Sequence, residues 1–185
     1  MANNMQIHQD NIVGDKIYLT RTHLKRKKEI GEKRFEQFFR DNGFSIIAPE
    51  ELSLKHQACI FHNAKVVASL EGTHAHGIVW SRGTIKQIIL RKQSEVIPRQ
   101  MMLNQLWGIK TIFIDVFEEP YKGFPITHDR GPFLLKWTEQ MERFASDNGM
   151  NVISKYRKGF IIDFFEYSVK CGFYWVIHRI KGLVR

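Results

Sequence analysis

Cysteine and long apolar runs are both scarce in this sequence. Its 185 residues include only Cys59 and Cys171, which lie far apart and outside any CxxC or Cys/His spacing. This argues against a disulfide framework or a structural zinc site. The start of the chain lacks a charged leader followed by an apolar run, and no stretch of roughly 18 uncharged apolar residues occurs. We therefore expect a cytoplasmic protein with reduced thiols.

Two common nucleotide-binding signatures are also missing, because neither GxGxxG nor GxxxxGK[ST] occurs. Their absence argues against an ordinary dinucleotide site and against a P-loop. Positive charge, in contrast, is plentiful: 28 Lys and Arg against 19 Asp and Glu give a formal net charge of +9. Such a chain favours anionic partners, namely phosphates, nucleic acid or acidic lipid headgroups.

Short apolar runs alternate with amphipathic segments along the first two thirds of the chain. Five short apolar runs predict strands, and amphipathic segments between them predict helices. The predicted strands are 16–20, 44–48, 65–70, 84–90 and 111–116, and the predicted helices are 29–41, 49–63 and 97–107. Strands that alternate with helices in this way predict an α/β, Rossmann-like, mostly parallel sheet with helices on both faces.

Breaker residues between 117 and 132 indicate a boundary in the chain. We predict a Rossmann-like domain over residues 1–132 and a C-terminal helical extension over residues 133–185, which packs on that domain or on a partner. Within the extension, helices are predicted at 133–148 and 156–185.

Two segments follow predicted strands at the edge where open parallel sheets bind ligands. The first, residues 21–26, is basic, and its arginines can grip phosphate oxygens. The second, residues 72–77, offers glycines for close backbone approach and imidazoles that can donate hydrogen bonds. Plainer interpretations exist, because basic runs are usually solvated and loop histidines usually bind nothing. A metal is not expected, since no clear third ligand accompanies His74 and His76.

The order of several short motifs resembles family 61-type glycosyltransferases. Tyr18-Leu19-Thr20-Arg21 is similar to a strand that ends in a Ser-Arg pair, and Pro49-Glu50-Glu51-Leu52-Ser53 is similar to "PEELS". Gly72-Thr73-His74-Ala75-His76-Gly77 resembles Gly-Pro-His-Gly-Ala-Gly, and Gly83-Thr84 resembles the Pro-Gly-Thr turn after it. The resemblance covers roughly residues 16–115, and its specificity lies in the ordered set.

The resemblance implies one half of a two-domain GT-B enzyme, the half that binds the nucleotide-sugar donor without a required metal or other cofactor. It implies donor-phosphate contacts from Arg21, Lys25, Arg26 and His74. The donor-site loop would comprise Gly72, Thr73, Ala75, His76, Gly77, Gly83 and Thr84. The acidic residue that the family often carries late in the next strand is replaced by Ile88, beside Gln87.

The implied activity is sugar transfer to a glycan acceptor in capsule or other polysaccharide biosynthesis. A GT-B enzyme needs a second domain, so the catalytic base is unknown here and is expected on an acceptor-binding domain or a partner chain. Two other functions remain open. The charge and the C-terminal aromatic residues would suit a nucleic-acid-binding α/β module, although no binding motif occurs. The differences between the donor loop and the family motif would suit a non-catalytic assembly subunit with a degenerate site.

The C-terminal segment, residues 159–181, is too apolar for one solvated helix and too charged for a membrane span. It therefore predicts a covering role. One possibility is packing against this domain or the missing half. The other is peripheral contact with the inner face of a membrane, where Phe173, Trp175 and Ile180 enter the headgroup boundary and basic residues meet anionic lipid.

Overall fold

A computed structural model describes residues 14–24, 29–81, 85–95, 97–119 and 131–183, with side chains of the last helix described up to Phe173 and at Val176. Seven strands and six α-helices occur in these ranges. In chain order they are β1 (Lys16–Leu19), β2 (Glu29–Ile30), α1 (Glu32–Asp41), β3 (Ser45–Ile47), α2 (Leu54–Asn63), β4 (Val66–Leu70), β5 (Lys86–Arg91), α3 (Pro98–Leu106), β6 (Lys110–Asp115), β7 (Phe133–Leu134), α4 (Glu139–Asp147), α5 (Lys155–Lys158) and α6 (Phe160–Leu183). Two 3₁₀ segments, Pro49–Glu51 and Thr73–Trp80, lie between them.

Five of the strands form one sheet in the order β3-β1-β4-β5-β6, and every neighbouring pair is parallel. A parallel neighbour cannot be reached by a tight turn, so each connection needs a crossover segment. The crossovers are the helices and the 3₁₀ segment Thr73–Trp80. The predicted α/β, Rossmann-like, mostly parallel sheet is confirmed.

Helices cover both faces of this sheet, because alternate strand residues point to opposite sides. On one face Tyr18 and Leu70 pack with Phe35 and Phe38 of α1 and Met141 of α4. The opposite face is a separate cluster, which contains Ile17, Leu19, Val67, Phe61 of α2, Ile78, Ile85 and Ile109. These near-continuous apolar strands are typical of a parallel sheet buried on both sides.

Two predicted helices begin later than the sequence pattern indicated. The helix predicted from Glu29 starts at Glu32, because Gly31 adopts φ 96 and Glu29–Ile30 forms β2. The helix predicted from Pro49 is a short 3₁₀ turn first. A new helix then starts after Ser53, whose hydroxyl accepts the His56 backbone N–H at 3.3 Å. The preference of serine for the N-cap explains this second start.

The prediction of a helix from Phe133 is also wrong at its beginning. Phe133 and Leu134 form β7, which pairs in parallel with β2 in a separate two-stranded sheet. Helix α4 starts only after Thr138, which caps it by accepting the Met141 N–H at 3.3 Å. The helical spacing between Phe133 and the apolar residues of α4 was thus coincidental, since Phe133 and Leu134 lie in a strand.

Residues on both sides of the predicted boundary at 132 share one core. Phe144 and Tyr156, which follow it, belong to the same buried cluster as Phe38 and Phe39, which precede it. The guanidinium of Arg34 adds polar links: it donates to Tyr156 O at 3.0 Å and to Leu135 O at 2.8 Å and forms an ion pair with Asp163. The division into two units at residue 132 stays a prediction.

Helix α6 packs on the small sheet. Its residues Phe160, Phe164, Tyr167 and Cys171 recur every three or four positions and cover Ile30 of β2 and Leu134 of β7. This spacing places them on one side of a helix. Within the described residues, no helix is long and apolar enough to cross a membrane.

The close packing of the Thr73–Trp80 segment on α2 requires a glycine at position 77. A Cβ atom built there would lie 2.2 Å from Cε2 of the buried Phe61 ring. We expect Gly77→Ala to lower the free energy of unfolding by about 1–3 kcal/mol, because buried overpacking forces neighbouring groups to shift. Urea denaturation measures this. The control is Gly172→Ala in α6, where the described residues place no atom within 4 Å of the new methyl group. Equal stability of the two variants would contradict the close contact.

Candidate functional site

The order of the central sheet creates one topological switch point, between β1 and β4. The chain leaves β1 towards β3 on one side, whereas β4 is followed by β5 and β6 on the other. In open α/β sheets ligands bind in the crevice outside the carboxyl ends of the strands at such a point. We call this region the switch-point crevice and define it by Thr20–Arg21 after β1 and Glu71–Gly72 after β4.

Carboxylates of α1 hold the segment after β1 in place. The Arg21 backbone N–H donates to Glu32 Oε1 at 2.8 Å. The hydroxyls of Thr20 and Thr22 both donate to Glu36 Oε2, at 2.8 and 2.7 Å. Because α1 packs on the sheet through its phenylalanines, these bonds fix the position of the Arg21 backbone relative to β1.

Two cations meet at one buried carboxylate in the crevice. Glu29 of β2, which is 2% exposed, has its Oε1 atom 3.2 Å from Arg21 Nε and 2.7 Å from Lys92 Nζ. Arg21 Nε is buried and, among the described residues, has no aligned hydrogen-bond partner. The Lys92 ammonium also lies 4.4 Å from the centre of the Phe133 ring, a distance suited to a cation–π contact. Two cations therefore face one carboxylate in this trio, and the carboxyl group of Glu71, whose pKa is raised by burial, also interacts with Lys92.

Gly72 lets the backbone approach both cations. Its φ of 139 lies in a region that other residues rarely adopt. A Cβ atom at this position would lie 3.4 Å from Arg21 Nη1 and 4.0 Å from Lys92 Nζ. The absence of a side chain therefore leaves the two cationic groups next to the backbone at the end of β4.

His74 lies in the same electrostatic environment as the two cations. Burial lowers the pKa of His74 first, and the positive charge of Arg21 lowers it further, against an opposing effect of Glu50. Its Nε2 atom is 3.8 Å from Glu50 Oε2, and its buried Nδ1 has no hydrogen-bond partner in the described part of the chain. A neutral imidazole of this kind can donate one N–H to an oxygen of a ligand.

His76 is separated from this group electrostatically. Burial lowers the pKa of His76, and the charge that lowers it further is that of Arg99 at the start of α3, rather than that of Arg21. Thr73 is exposed, whereas Ala75 and Gly77 are buried and pack the loop onto the domain. Of the predicted donor-site loop, Gly72 and His74 are therefore the residues that lie with Arg21.

A network of buried amides supports the loop from beneath. Gln87 of β5 donates to Ala75 O at 2.8 Å, and Gln100 of α3 donates to Asn104 at 2.8 Å. Asn104 in turn donates to Thr111 of β6 at 2.6 Å. Ile88, at the position where the resemblance implies an acidic residue, is buried in the apolar cluster on the opposite face. Gln87 thus positions the loop, while Ile88 belongs to the core.

The remaining predicted site residues are Lys25, Arg26, Gly83 and Thr84. All four lie outside the described residues, so their assignment to the site stays a prediction.

Sequence reasoning missed Lys92 and Glu29. Lys92 directly follows β5, so the strand-end rule that selected Arg21 also applies to it. Arg91 precedes it but pairs with Asp115 at 2.7 Å and donates to Ser94 O, which commits that guanidinium to the neighbouring strand. Glu29 carried no signal, because the pattern placed it in a helix.

Among the described residues, no group of three or more His, Cys, Asp or Glu side chains is arranged to hold a metal ion. The cations of the crevice are instead suited to phosphate oxygens, which bind most strongly to charged donors. The expectation that no metal is required stays a prediction.

Fold and site together define a Rossmann-like α/β domain that holds Arg21 and Lys92 beside Gly72 at its switch point. The chain belongs to the glycosyltransferase 61 family, whose model matches residues 3–97, just over half of its length. Membership in this family supports glycosyltransferase activity. The matched range ends before the limit of residue 115 that the motifs indicated. No curated protein and no solved structure matches the chain.

Glu32, which accepts the backbone N–H of Arg21, makes stability depend on pH. Burial raises the pKa of Glu32 from 4.5 to about 7. Between these pH values the folded protein keeps a proton that the unfolded chain has released, so the contribution of Glu32 to stability falls as pH rises through this window. The total change is about 3 kcal/mol. We expect Glu32→Gln, which stays neutral, to gain stability relative to the wild type as pH rises from about 5 to about 8.

Urea denaturation of both proteins across this range measures the difference between them, in which other titrating groups cancel. A difference that stays constant with pH would show that Glu32 titrates normally in the folded protein. The matched control is Glu139→Gln, which makes the same chemical change at the exposed start of α4.

Proposed function

We propose that this chain is the donor-binding domain of a glycosyltransferase and that the switch-point crevice holds the diphosphate of a nucleotide sugar. The observation that carries the proposal is the convergence of Arg21 and Lys92 on the side-chain-free face of Gly72. Two cations beside an accessible backbone at strand ends suit adjacent phosphate groups. The family supports the donor class, because glycosyltransferases act on activated sugars.

The chemistry expected of these residues is binding and charge stabilisation. Arg21 can present a planar fork to phosphate oxygens, and Lys92 adds a point charge. Negative charge builds up on the diphosphate as the bond to the sugar breaks, so cations held beside it favour that step. The N–H of His74 supplies a further donor.

The wider proposal concerns the enzyme to which this domain contributes. The domain acts as one half of a GT-B enzyme in polysaccharide biosynthesis, without a required metal, and transfers sugar to a glycan acceptor in the cytoplasm. An acceptor-binding domain or partner chain supplies the catalytic base. The family supports the transferase activity, and the cations of the crevice support donor binding. Glu29 pairs with both of these cations, so we expect the catalytic base elsewhere.

A thermal-shift panel of nucleoside diphosphates and nucleotide sugars tests the donor class. A ligand at 100 times its Kd adds about 2.7 kcal/mol to the free energy of unfolding. The matched nucleosides, which lack phosphate, serve as controls. Stabilisation by compounds that carry a diphosphate, and not by the nucleosides, supports the proposal. No stabilisation by any compound, or tighter binding to nucleic acid that nucleotide sugars do not displace, would reject it.

Arg21 and Lys92 can be tested separately without leaving Glu29 unpaired, because each removal leaves the other cation beside this buried carboxylate. We expect Arg21→Gln and Lys92→Met each to weaken nucleoside-diphosphate binding by about 1.5–3 kcal/mol, the value of a charge-assisted hydrogen bond. Isothermal titration calorimetry measures the change in Kd.

Arg143→Gln is the control, because this arginine is 79% exposed on α4 and its removal changes the net charge equally. We expect it to leave Kd nearly unchanged. An equal loss in all three variants would mean that only the overall positive charge matters, and the assignment of the crevice would fail.

His74 and Gly72 should respond differently to substitution. We expect His74→Ala to weaken diphosphate binding with little change in folding, since His74 acts through its side chain. We expect Gly72→Val to impair both, because its φ of 139 disfavours a β-branched residue and the new side chain would meet Arg21 Nη1. Circular dichroism melts and calorimetry separate the two effects. A His74→Ala variant that unfolds would identify a structural histidine.

A further inference from the structure

Over its described side chains, the exposed side of α6 carries a continuous apolar stripe. Its members are Ile161, Ile162, Phe165, Val169, Phe173 and Val176, whose exposed fractions range from 47% to 77%. They recur mostly every three or four residues and therefore form one side of the helix, away from the stripe that covers Ile30 and Leu134. A contiguous exposed patch of large apolar side chains marks an interaction surface.

The charged residues within this part of α6 are already matched. Asp163 forms an ion pair with Arg34 at 2.7 Å on the packed side, and Glu166 pairs with Lys170 at 2.6 Å. Neither acidic side chain therefore gives the stripe a net negative charge.

Basic residues lie near both ends of the helix. Lys155 and Arg157 come before α6 but pair with Asp41 and Glu142, so Lys158 supplies the positive charge at this end. The sequence contains Arg179, Lys181 and Arg185 towards its last residues. Two copies of this helix would bring basic ends together in either relative direction. The net charge of +9 adds repulsion between copies and attraction to an anionic surface.

We propose that the exposed stripe of α6 is a membrane-docking surface that lies in the headgroup region of an anionic bilayer. An apolar face flanked by basic residues binds in this way, with its apolar side chains at the boundary of the acyl chains and its cations beside the lipid phosphates. Phe165 and Phe173 are the largest side chains of the stripe and form its main contacts. The proposal does not depend on the donor class.

The helix also sets the distance between the bilayer and the switch-point crevice. Its packed side rests on β2 and β7, which contribute Glu29 and Phe133 to the surroundings of Lys92. Among the described residues, this two-stranded sheet contacts both the helix and Lys92. Docking through the outer stripe would therefore hold the crevice close to the membrane, with the small sheet between them.

Co-sedimentation of the full chain with vesicles tests the proposal. One vesicle preparation contains phosphatidylcholine mixed with phosphatidylglycerol, and the other contains phosphatidylcholine alone. We expect the wild type to bind the anionic vesicles preferentially and to be released by added salt. The double variant Phe165→Gln/Phe173→Gln should bind roughly ten-fold more weakly, because binding scales with buried apolar area.

The matched control is Met102→Gln/Leu106→Gln, which removes two apolar side chains of α3 that are 62% and 73% exposed. We expect it to bind anionic vesicles like the wild type. Thermal melts verify that each variant folds, and Ile161→Gln alone replaces the double variant if that protein does not fold. Glutamine is compatible with an exposed helical position.

Three results would overturn the proposal. The first is a wild type that ignores anionic vesicles, and the second is equal binding by the wild type and the Phe165/Phe173 variant. The third is a dimer, detected by analytical ultracentrifugation, that the same variant abolishes while vesicle binding is unaffected, which would assign the stripe to a second copy of the chain.

Discussion

The carboxylates of Glu29 and Glu32 are the constraint on which the crevice depends. Glu32 accepts the backbone N–H of Arg21 and so fixes where the chain leaves β1, while Glu29 draws Arg21 and Lys92 to one point. Buried carboxylates are costly unless they are paired or neutral. Here Glu29 is paired with two cations, and burial raises the pKa of Glu32 to about 7. Contacts within the protein therefore hold the two cations in place.

The main sheet could be predicted from the sequence because its strands are buried on both faces and read as compact apolar runs. The run from Lys16 to Thr20 gave β1 almost unchanged, and Gly108 marked the end of α3 correctly. The small sheet could not be predicted in this way. Each of its strands has two residues, too few for a periodic pattern, and its partners Ile30 and Leu134 are about a hundred residues apart. Only tertiary packing decides such a pairing.

The candidate site was predictable to the extent that its residues follow the ends of strands. Arg21, Gly72 and His74 came from two loops whose strands proved to be neighbours at the switch point. The loop histidines could not be distinguished by sequence. Burial lowers the pKa of both, and they differ in the neighbouring charge, which is Arg21 for His74 and Arg99 for His76. Glu29 could not be identified before β2 was known. It contacts Arg21 and Lys92 from this strand, which ends before Gly31, where α1 begins.

The missed strand β2 also explains how the crevice and the C-terminal helix are connected. Consecutive strand residues point to opposite faces, so Glu29 reaches the cations while Ile30 meets α6. Strand β7 repeats this division, since Phe133 lies beneath the Lys92 ammonium and Leu134 packs on α6. A sheet of only four residues therefore has one side, with Glu29 and Phe133, that contacts Lys92, and another side, with Ile30 and Leu134, that packs against the helix.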